Sequence, residues 1–383
     1  VSERVLSRVE LNRATLARQL LLERATLSPL EAIKQLAGLQ SQLSNPPYIG
    51  LWSRLKTFER EELIRLLEQR QVVRASMMRC TLHLTTAEDY LHFRPALQPL
   101  HTRALEAYFD DRGITGLDKA RFVAELESYL QEKPRTNVEL RQKLGELLSD
   151  QDERLLYKVR IYLPLLQVFP GGVWGVGGSP AYTEASSWLG GSLVAADEGL
   201  VYLIVSYLRA FGPASLKDLQ VWSGLSQLQL EKGWAALRPN LLSFRDEQGR
   251  ELYDLPEAPR PLASIPAPVR FLPDFDNVVL AYDKRSRIIA EEYRPLVFPG
   301  NSAVLPTFLV DGFVAGIWHV ERSSSGPHLK IQPFKPLSSK VEQELREEGE
   351  LLLQFMCDKL TSRKISVVEY REKSGKQNLW GRL

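Results

Sequence analysis

Val72-Val73-Arg74-Ala75-Ser76-Met77 and Arg79-Cys80-Thr81-Leu82-His83-Leu84 are two short β-rich runs that read as the arms of a hairpin. What precedes them decides the fold. Residues 10–24 place Leu11, Leu16, Leu20 and Leu21 at helical spacing. Ser28-Pro29-Leu30-Glu31 is a capping box with proline at the first helical position, and it opens a helix with Leu30, Ile33, Leu36 and Ala37 on one face. Asn45-Pro46-Pro47 stops that helix, because a residue before proline is pushed out of the α region. A short helix at 49–55 and a longer one at 60–70 follow. Helices and then a hairpin is the order of a winged helix.

The same order recurs twice. Helices at 118–131, 137–148 (capped by Thr136) and 152–166 lead into a strand–turn–strand pattern over 167–176. Helices at 197–211, 215–223 and 226–237 lead into strands at 241–244 and 251–254 that turn at 246–249. The spacing is irregular, so the architecture repeats and the sequence does not. Residues 256–268 hold five prolines and read as a linker. Beyond them 269–272, 277–282, 307–310, 313–320, 329–332 and 365–370 are strand-like, Asp311-Gly312 is a hairpin turn, and 340–360 is a long helix. The expectation is an α+β chain with three tandem winged-helix units at 1–100, 101–190 and 191–256. A β-rich C-terminal domain carrying one long helix follows at 257–383.

Composition narrows the function classes. A chain of 383 residues exceeds one ordinary core, and 44% hydrophobic with 25% charged residues is a globular balance, not a disordered one. No apolar run approaches the roughly 18 residues that span a bilayer. The opening VSERVLSRVE is charged throughout and has no apolar signal core. Cys80 and Cys357 are too few for a disulfide framework or a Cys-rich zinc site. A cytoplasmic protein without a membrane partner is expected. Net charge is +2, but residues 1–94 carry 14 Lys/Arg against 10 Asp/Glu while 95–200 carry 11 against 15. Charge therefore permits a nucleic-acid partner without demanding one, and it puts the contact region in the N-terminal third. Arg outnumbers Lys there 12 to 2, which suits bidentate phosphate or guanine contacts.

Several standard sites are missing: no GxxxxGK[ST] loop, HExxH, GxSxG or Cys-x-x-Cys occurs. GGVWGVGG at 171–178 opens no helix, so it reads as a wing turn rather than a phosphate cradle. Gln40, seven residues after Ile33, falls on the apolar face of the helix, where an unpaired amide costs roughly 1–3 kcal/mol. For Gln40 and Gln42 to face one cleft the helix must unwind near Ser41. On pattern alone, a structural amide at a helix end accounts for Gln40. His83 shares a strand side with Thr81 and reads as a satisfied structural histidine. Asp274 and Asp276 share a strand face in a stretch that reads as turn chemistry, not a metal site. Arg285 and Arg287 are phosphate candidates or a solvated turn, and Trp318 reads as core.

Three stretches taken together point further. Leu36-Ala37-Gly38-Leu39-Gln40-Ser41-Gln42, Arg79-Cys80-Thr81-Leu82-His83-Leu84, and Leu272-Pro273-Asp274-Phe275-Asp276 with Asp283-Lys284-Arg285 and Asp311-Gly312 follow one another in the order of a known group. The chain resembles the winged-helix family of bacterial DNA glycosylases that includes the enzyme of self-resistance to azinomycin B. The likeness runs over nearly the whole length.

The resemblance implies a Gln–aliphatic–Gln catalytic motif at Gln40 and Gln42, with Ser41 standing where the family has an aliphatic residue. It implies that Arg79, Thr81 and His83 line a DNA channel, joined as DNA contacts by Asn45, Arg285 and Arg287, with Asp276 and Ser41 in support. The activity implied is monofunctional hydrolysis of the N-glycosidic bond of cationic alkylated purines, interstrand cross-links included. Double-stranded DNA is the partner, the protein is a monomer, and no cofactor or metal is needed. Two other classes use the same residues differently. A non-catalytic winged-helix DNA-binding or regulatory protein would bind sequence-specifically without releasing base, and a small-molecule binder would sequester an alkylating compound without DNA.

Overall fold

Strand pairing, more than helix order, organises this molecule. A computed structural model describes residues 4–148, 152–300, 303–323, 326–357 and 363–370. Val72–Ser76 and Leu82–Thr86 pair antiparallel, and Leu39–Gln40 adds to the outer edge of the second strand with Gln40 opposite His83. Leu165–Gln167 takes the other edge and Tyr182–Glu184 lies beyond it. One five-stranded sheet thus runs across the first two expected units. A second sheet joins Val5–Leu6, in parallel, to the hairpin of Leu242–Asp246 and Glu251–Asp254. The third orders Lys364–Val367, Gly326–Pro333, Phe313–Ser323, Thr307–Val310 and Arg270–Leu272. Helix Ser339–Met356 covers it, burying Leu345, Leu352 and Leu353 with Phe271, Trp318 and Ile331. The architecture is mixed α+β.

Local chemistry sets most helix starts as read. Reciprocal capping boxes open the helices at Ser28/Glu31, Ser215/Asp218 and Ser226/Gln229. Asp311-Gly312 turns its hairpin with φ of 45° and 83°.

Six expectations are corrected. The helix capped by Ser28 ends at Gln35, far short of Asn45. Ala37 and Gly38 turn left-handed (φ 54° and 85°), with Gly38 N–H donating to Ile33 O at 3.0 Å and Ala37 N–H to Lys34 O at 3.2 Å. These two bonds form a Schellman end. A Cβ on Gly38 would meet Leu84 O at 2.9 Å, so the close strand crossing also requires glycine there. Gln40 therefore sits on a strand and not on a helix face.

The second hairpin arm begins at Leu82, because Arg79 and Cys80 are left-handed (φ 54° and 59°) and form a turn. The strand returning from 165–167 is Tyr182–Glu184, and the glycine-rich stretch lies in the loop between them. Residues 277–280 are helical because the Asp276 carboxylate caps Val278 N–H at 3.0 Å. Asp274 and Asp276 do not share a strand face, since the strand stops at Leu272 and Phe275 is left-handed. Finally, Ala87–Asp111 is a 25-residue helix that the periodicity reading does not assign, with Pro95 and Pro99 inside it.

One core cluster crosses the expected units, while the second unit and the C-terminal sheet also bury clusters of their own. A single cluster joins Leu16, Val73, Phe93, Leu166, Leu203, Trp222, Leu272 and Val278. The proline-rich stretch has no regular structure but is pinned, with Arg18 donating to Pro259 O and Arg13 to Ile265 O. Two buried ion pairs close the seams: Arg18–Asp254 at 2.7 Å and Arg54–Asp276 at 2.9 Å. Among the described residues, no helix is long and apolar enough to cross a membrane.

Candidate active site

The edge strand Leu39–Gln40 and the 78–82 turn bring the glutamine motif against the hairpin. Gln40 is 7% exposed, and its Oε1 accepts from Arg79 Nη2 at 2.7 Å. Gln42 Oε1 accepts from the Leu82 N–H at 3.2 Å. Ser41, fully buried, donates its N–H to Leu82 O at 2.7 Å. A guanidinium or N–H donor fixes the rotation of an amide, because only the oxygen can accept from it. Each glutamine therefore keeps its NH2 group and one oxygen lone pair for another partner. The motif presents two oriented amides.

Arg79 is central to that arrangement. Its other Nη donates to Trp222 O, so one guanidinium bridges the motif and helix Leu216–Ser223. Burial, followed by the nearby charge of Arg285, holds its pKa down to about 10, which leaves it charged at neutral pH. His83 lies opposite Gln40 and is fully buried. Its Nδ1 meets Thr81 O at 3.0 Å and is therefore the protonated nitrogen, while Nε2 has no partner among the described residues. Desolvation, and then Arg79, lower its pKa to about 3. The ring is neutral at physiological pH and is a poor proton acceptor.

The remaining expected residues divide. Thr81 sits at the same turn, its hydroxyl donating to Met78 O at 3.0 Å. Arg285 is half-buried with its guanidinium 4.5 Å over the Phe298 ring, close enough to Arg79 for their charges to interact. Asn45 Oδ1 accepts from Gly175 N–H at 2.9 Å, which places the glycine-rich loop beside the end of the motif. Asp276 holds the Arg54 guanidinium through both carboxylate oxygens at 2.9 Å, and Asn277 donates to Gly38 O at 2.9 Å, so this segment braces the motif strand from below. Arg287 is corrected: it is 2% exposed, donates to Pro213 O at 2.8 Å and stacks over Tyr282, out of reach of a DNA backbone. Trp318 is core, its Nε1–H shared between Leu272 O and Thr307 O.

Sequence reasoning missed Arg74. Its guanidinium lies directly behind the motif and donates to Ser41 O, Ser41 Oγ and Gln42 O. The signal was present, since a charged residue interrupts an otherwise apolar strand run at Val72-Val73-Arg74-Ala75. Burial pushes the Asp274 carboxyl up to about 6. Among the described residues, no group of three or more His, Cys, Asp or Glu is placed to hold a metal ion.

With this geometry in view, the comparisons are specific. The family model described as "DNA glycosylase AlkZ-like" matches residues 33–355, which include the motif, the hairpin and most of the C-terminal sheet. The chain belongs to the AlkZ-like DNA glycosylase family. An interstrand DNA cross-link repair glycosylase of Streptomyces sahachiroi is 26% identical over 327 residues, covering 79% of this chain and 85% of that relative. The solved structure of Streptomyces sahachiroi DNA glycosylase AlkZ matches the fold with a TM-score of 0.81 at 21% identity, covering 95% of this chain and 100% of that one. As an AlkZ-like glycosylase the chain is a hydrolase of N-glycosyl bonds in DNA.

Proposed function

We propose that this AlkZ-like glycosylase releases cationic alkylated purines, N7-alkylguanine foremost, from double-stranded DNA, and that Gln40 and Gln42 hold the attacking water. The observation that carries the reading is the pair of amides whose oxygens are fixed by Arg79 and by the Leu82 N–H, leaving their NH2 groups and second lone pairs unclaimed. Guanine alkylated at N7 carries a positive charge and departs as a neutral base. As its bond to the sugar C1′ breaks, positive charge develops on the sugar, and water adds to that carbon and gives up a proton to solvent. Two amides can donate to the water oxygen, accept from its hydrogens and turn lone pairs toward the developing charge. Neither is a strong base, so most of the driving force must come from the lesion's own charge. This predicts selectivity for charged lesions without close inspection of the base. It also suits a cross-linked base, which cannot be flipped fully into a pocket.

The groups gathered at the motif are amides, arginines and a neutral histidine, which fits a monofunctional enzyme that uses water as its nucleophile. Arg285, Thr81 and Asn45 are placed in the reading as contacts to DNA, and Asp276 and Ser41 as supports. Three winged-helix units at 1–100, 101–190 and 191–256, a C-terminal domain from 257, a monomeric state and a cytoplasmic location complete the proposal.

Wild-type protein should cleave N7-methylguanine duplex, read as strand scission after mild alkali, and leave an unmodified duplex intact. A duplex cross-linked through guanine N7 should be unhooked. Tight binding to both lesion duplexes with scission of neither would move the weight to a non-catalytic DNA-binding role.

A further inference from the structure

We infer that Arg74 is a positioning residue for the glutamine motif and that Ser41 is the link through which it acts. The inference rests on reading Gln40 and Gln42 as the water-holding pair. Arg74 sits in the middle strand of the five-stranded sheet, between the motif side and Leu165–Gln167. Arg74 is 7% exposed, and the oxygens its guanidinium donates to are all neutral. Nε donates to Ser41 O and Ser41 Oγ, both at 3.0 Å. Nη2 donates to Ser41 O at 2.6 Å and Gln42 O at 3.3 Å, and Nη1 to Gln167 Oε1 at 2.5 Å.

Other buried arginines here also bind carbonyls; Arg94 and Arg287 are examples. At Arg74, however, the carbonyls belong to the motif itself. The strand Leu39–Gln40 ends one residue before Ser41, and no regular structure resumes until Pro46. Over that gap the chain is held by two partners. Leu82 supplies an acceptor for Ser41 N–H and a donor for Gln42 Oε1, and Arg74 takes the carbonyls of Ser41 and Gln42. A planar guanidinium fork can hold several oxygens in one fixed array, which an ammonium cannot.

Ser41 adds a contact that an aliphatic residue has no atoms to make. Its hydroxyl accepts from Arg74 Nε and donates to Leu43 O at 3.3 Å, tying the arginine to the chain just beyond Gln42. The departure from the family's aliphatic pattern thus comes with a partner already in place. The network continues outward, since Gln167 Nε2 and Arg160 Nη1 both donate to the Tyr182 hydroxyl. The motif is therefore fastened to the strands and helix of the second expected unit through Arg74.

A water held by two amides reacts only when both keep their geometry, and a displacement of about 1 Å can cost roughly 100-fold in rate. The test is single-turnover base release from N7-methylguanine duplex, with DNA affinity and melting temperature measured on the same proteins. The variants are Ser41→Ala, Ser41→Val, Arg74→Lys, Ser41→Ala/Arg74→Lys and Gln40→Ala/Gln42→Ala. Arg74→Lys should slow release by roughly 10- to 100-fold, and both Ser41 variants by about fivefold, with DNA affinity held within about twofold. The Ser41→Ala loss should shrink toward nothing in the Arg74→Lys background, because the hydroxyl then has no fork to act through.

Losses that simply multiply, or that track weaker DNA binding, would overturn the inference. Should Arg74→Lys fail to fold, the two Ser41 variants decide: wild-type rates in both would overturn it as well. A wild-type rate in the double glutamine variant would instead sink the underlying reading. An inactive glutamine variant beside fully active Ser41 and Arg74 variants would sink this inference alone.

Discussion

Arg18 and Arg54 fasten the N-terminal helices to the rest of the molecule, and each is buried against a carboxylate, Asp254 and Asp276. Arg74 and Arg79, on the motif side, are buried against carbonyl and amide oxygens, and burial lowers both to about 10. The two regions use the same side chain for different ends. At the seams, opposite charges cancel and the product is a fixed joint. At the motif the charge stays uncancelled, and what it orders is the set of neutral oxygens that the chemistry needs. An ion pair there would take up the donors that now orient Gln40 and the backbone of Ser41 and Gln42.

That contrast can be broken by exchanging the consequences. Asp254→Ala leaves the Arg18 guanidinium buried without its carboxylate and should cost about 3–5 kcal/mol of stability, measured by denaturant unfolding. Activity per folded molecule should change little. Arg79→Met should do the reverse. It frees the Gln40 amide and should slow base release by roughly 10- to 100-fold, with a smaller stability loss of about 1–3 kcal/mol. If Arg79→Met instead costs stability alone, the two regions do not differ as described.

His83 sharpens the electrostatic side. Unfolded histidine binds a proton below about pH 6.5, whereas folded His83 does not until about pH 3. The unfolded state therefore holds more protons in that window, and stability falls as pH falls through it. His101, also lowered to about 3 by burial, acts in the same sense. Asp274, raised to about 6, acts in the opposite one between about pH 4 and 6. Comparing His83→Asn with wild type isolates one residue: the slope of stability against pH should flatten by up to about 1.4 kcal/mol per pH unit. The smallest effect concerns the surface. Arg285→Ala should reduce the salt dependence of DNA binding by about one unit of log–log slope while leaving single-turnover base release unchanged.

Residues with local causes were legible in the sequence. Ser28/Glu31 announces its helix by capping chemistry alone, and Asp311-Gly312 announces its turn. The motif glutamines were legible through resemblance, and their order along the chain carried it. What was hidden depends on distant partners. Gln40 leaves the helical register because Gly38 crosses Leu84 closely, and Leu84 lies 46 positions on. Pro95 and Pro99 argue locally against the helix Ala87–Asp111, which holds because its apolar face is buried among Tyr207, Phe211 and Trp222 in the shared core. Arg74 reads as an odd charge in a strand until Ser41 and Gln167 are brought to either side of it.

The most direct measurement is release of free N7-methylguanine from a lesion duplex under single-turnover conditions by Gln40→Ala/Gln42→Ala. Its melting temperature and DNA affinity should be checked against wild type. The account predicts a loss of roughly 100-fold or more in rate with binding retained. Release at the wild-type rate from that variant would contradict it.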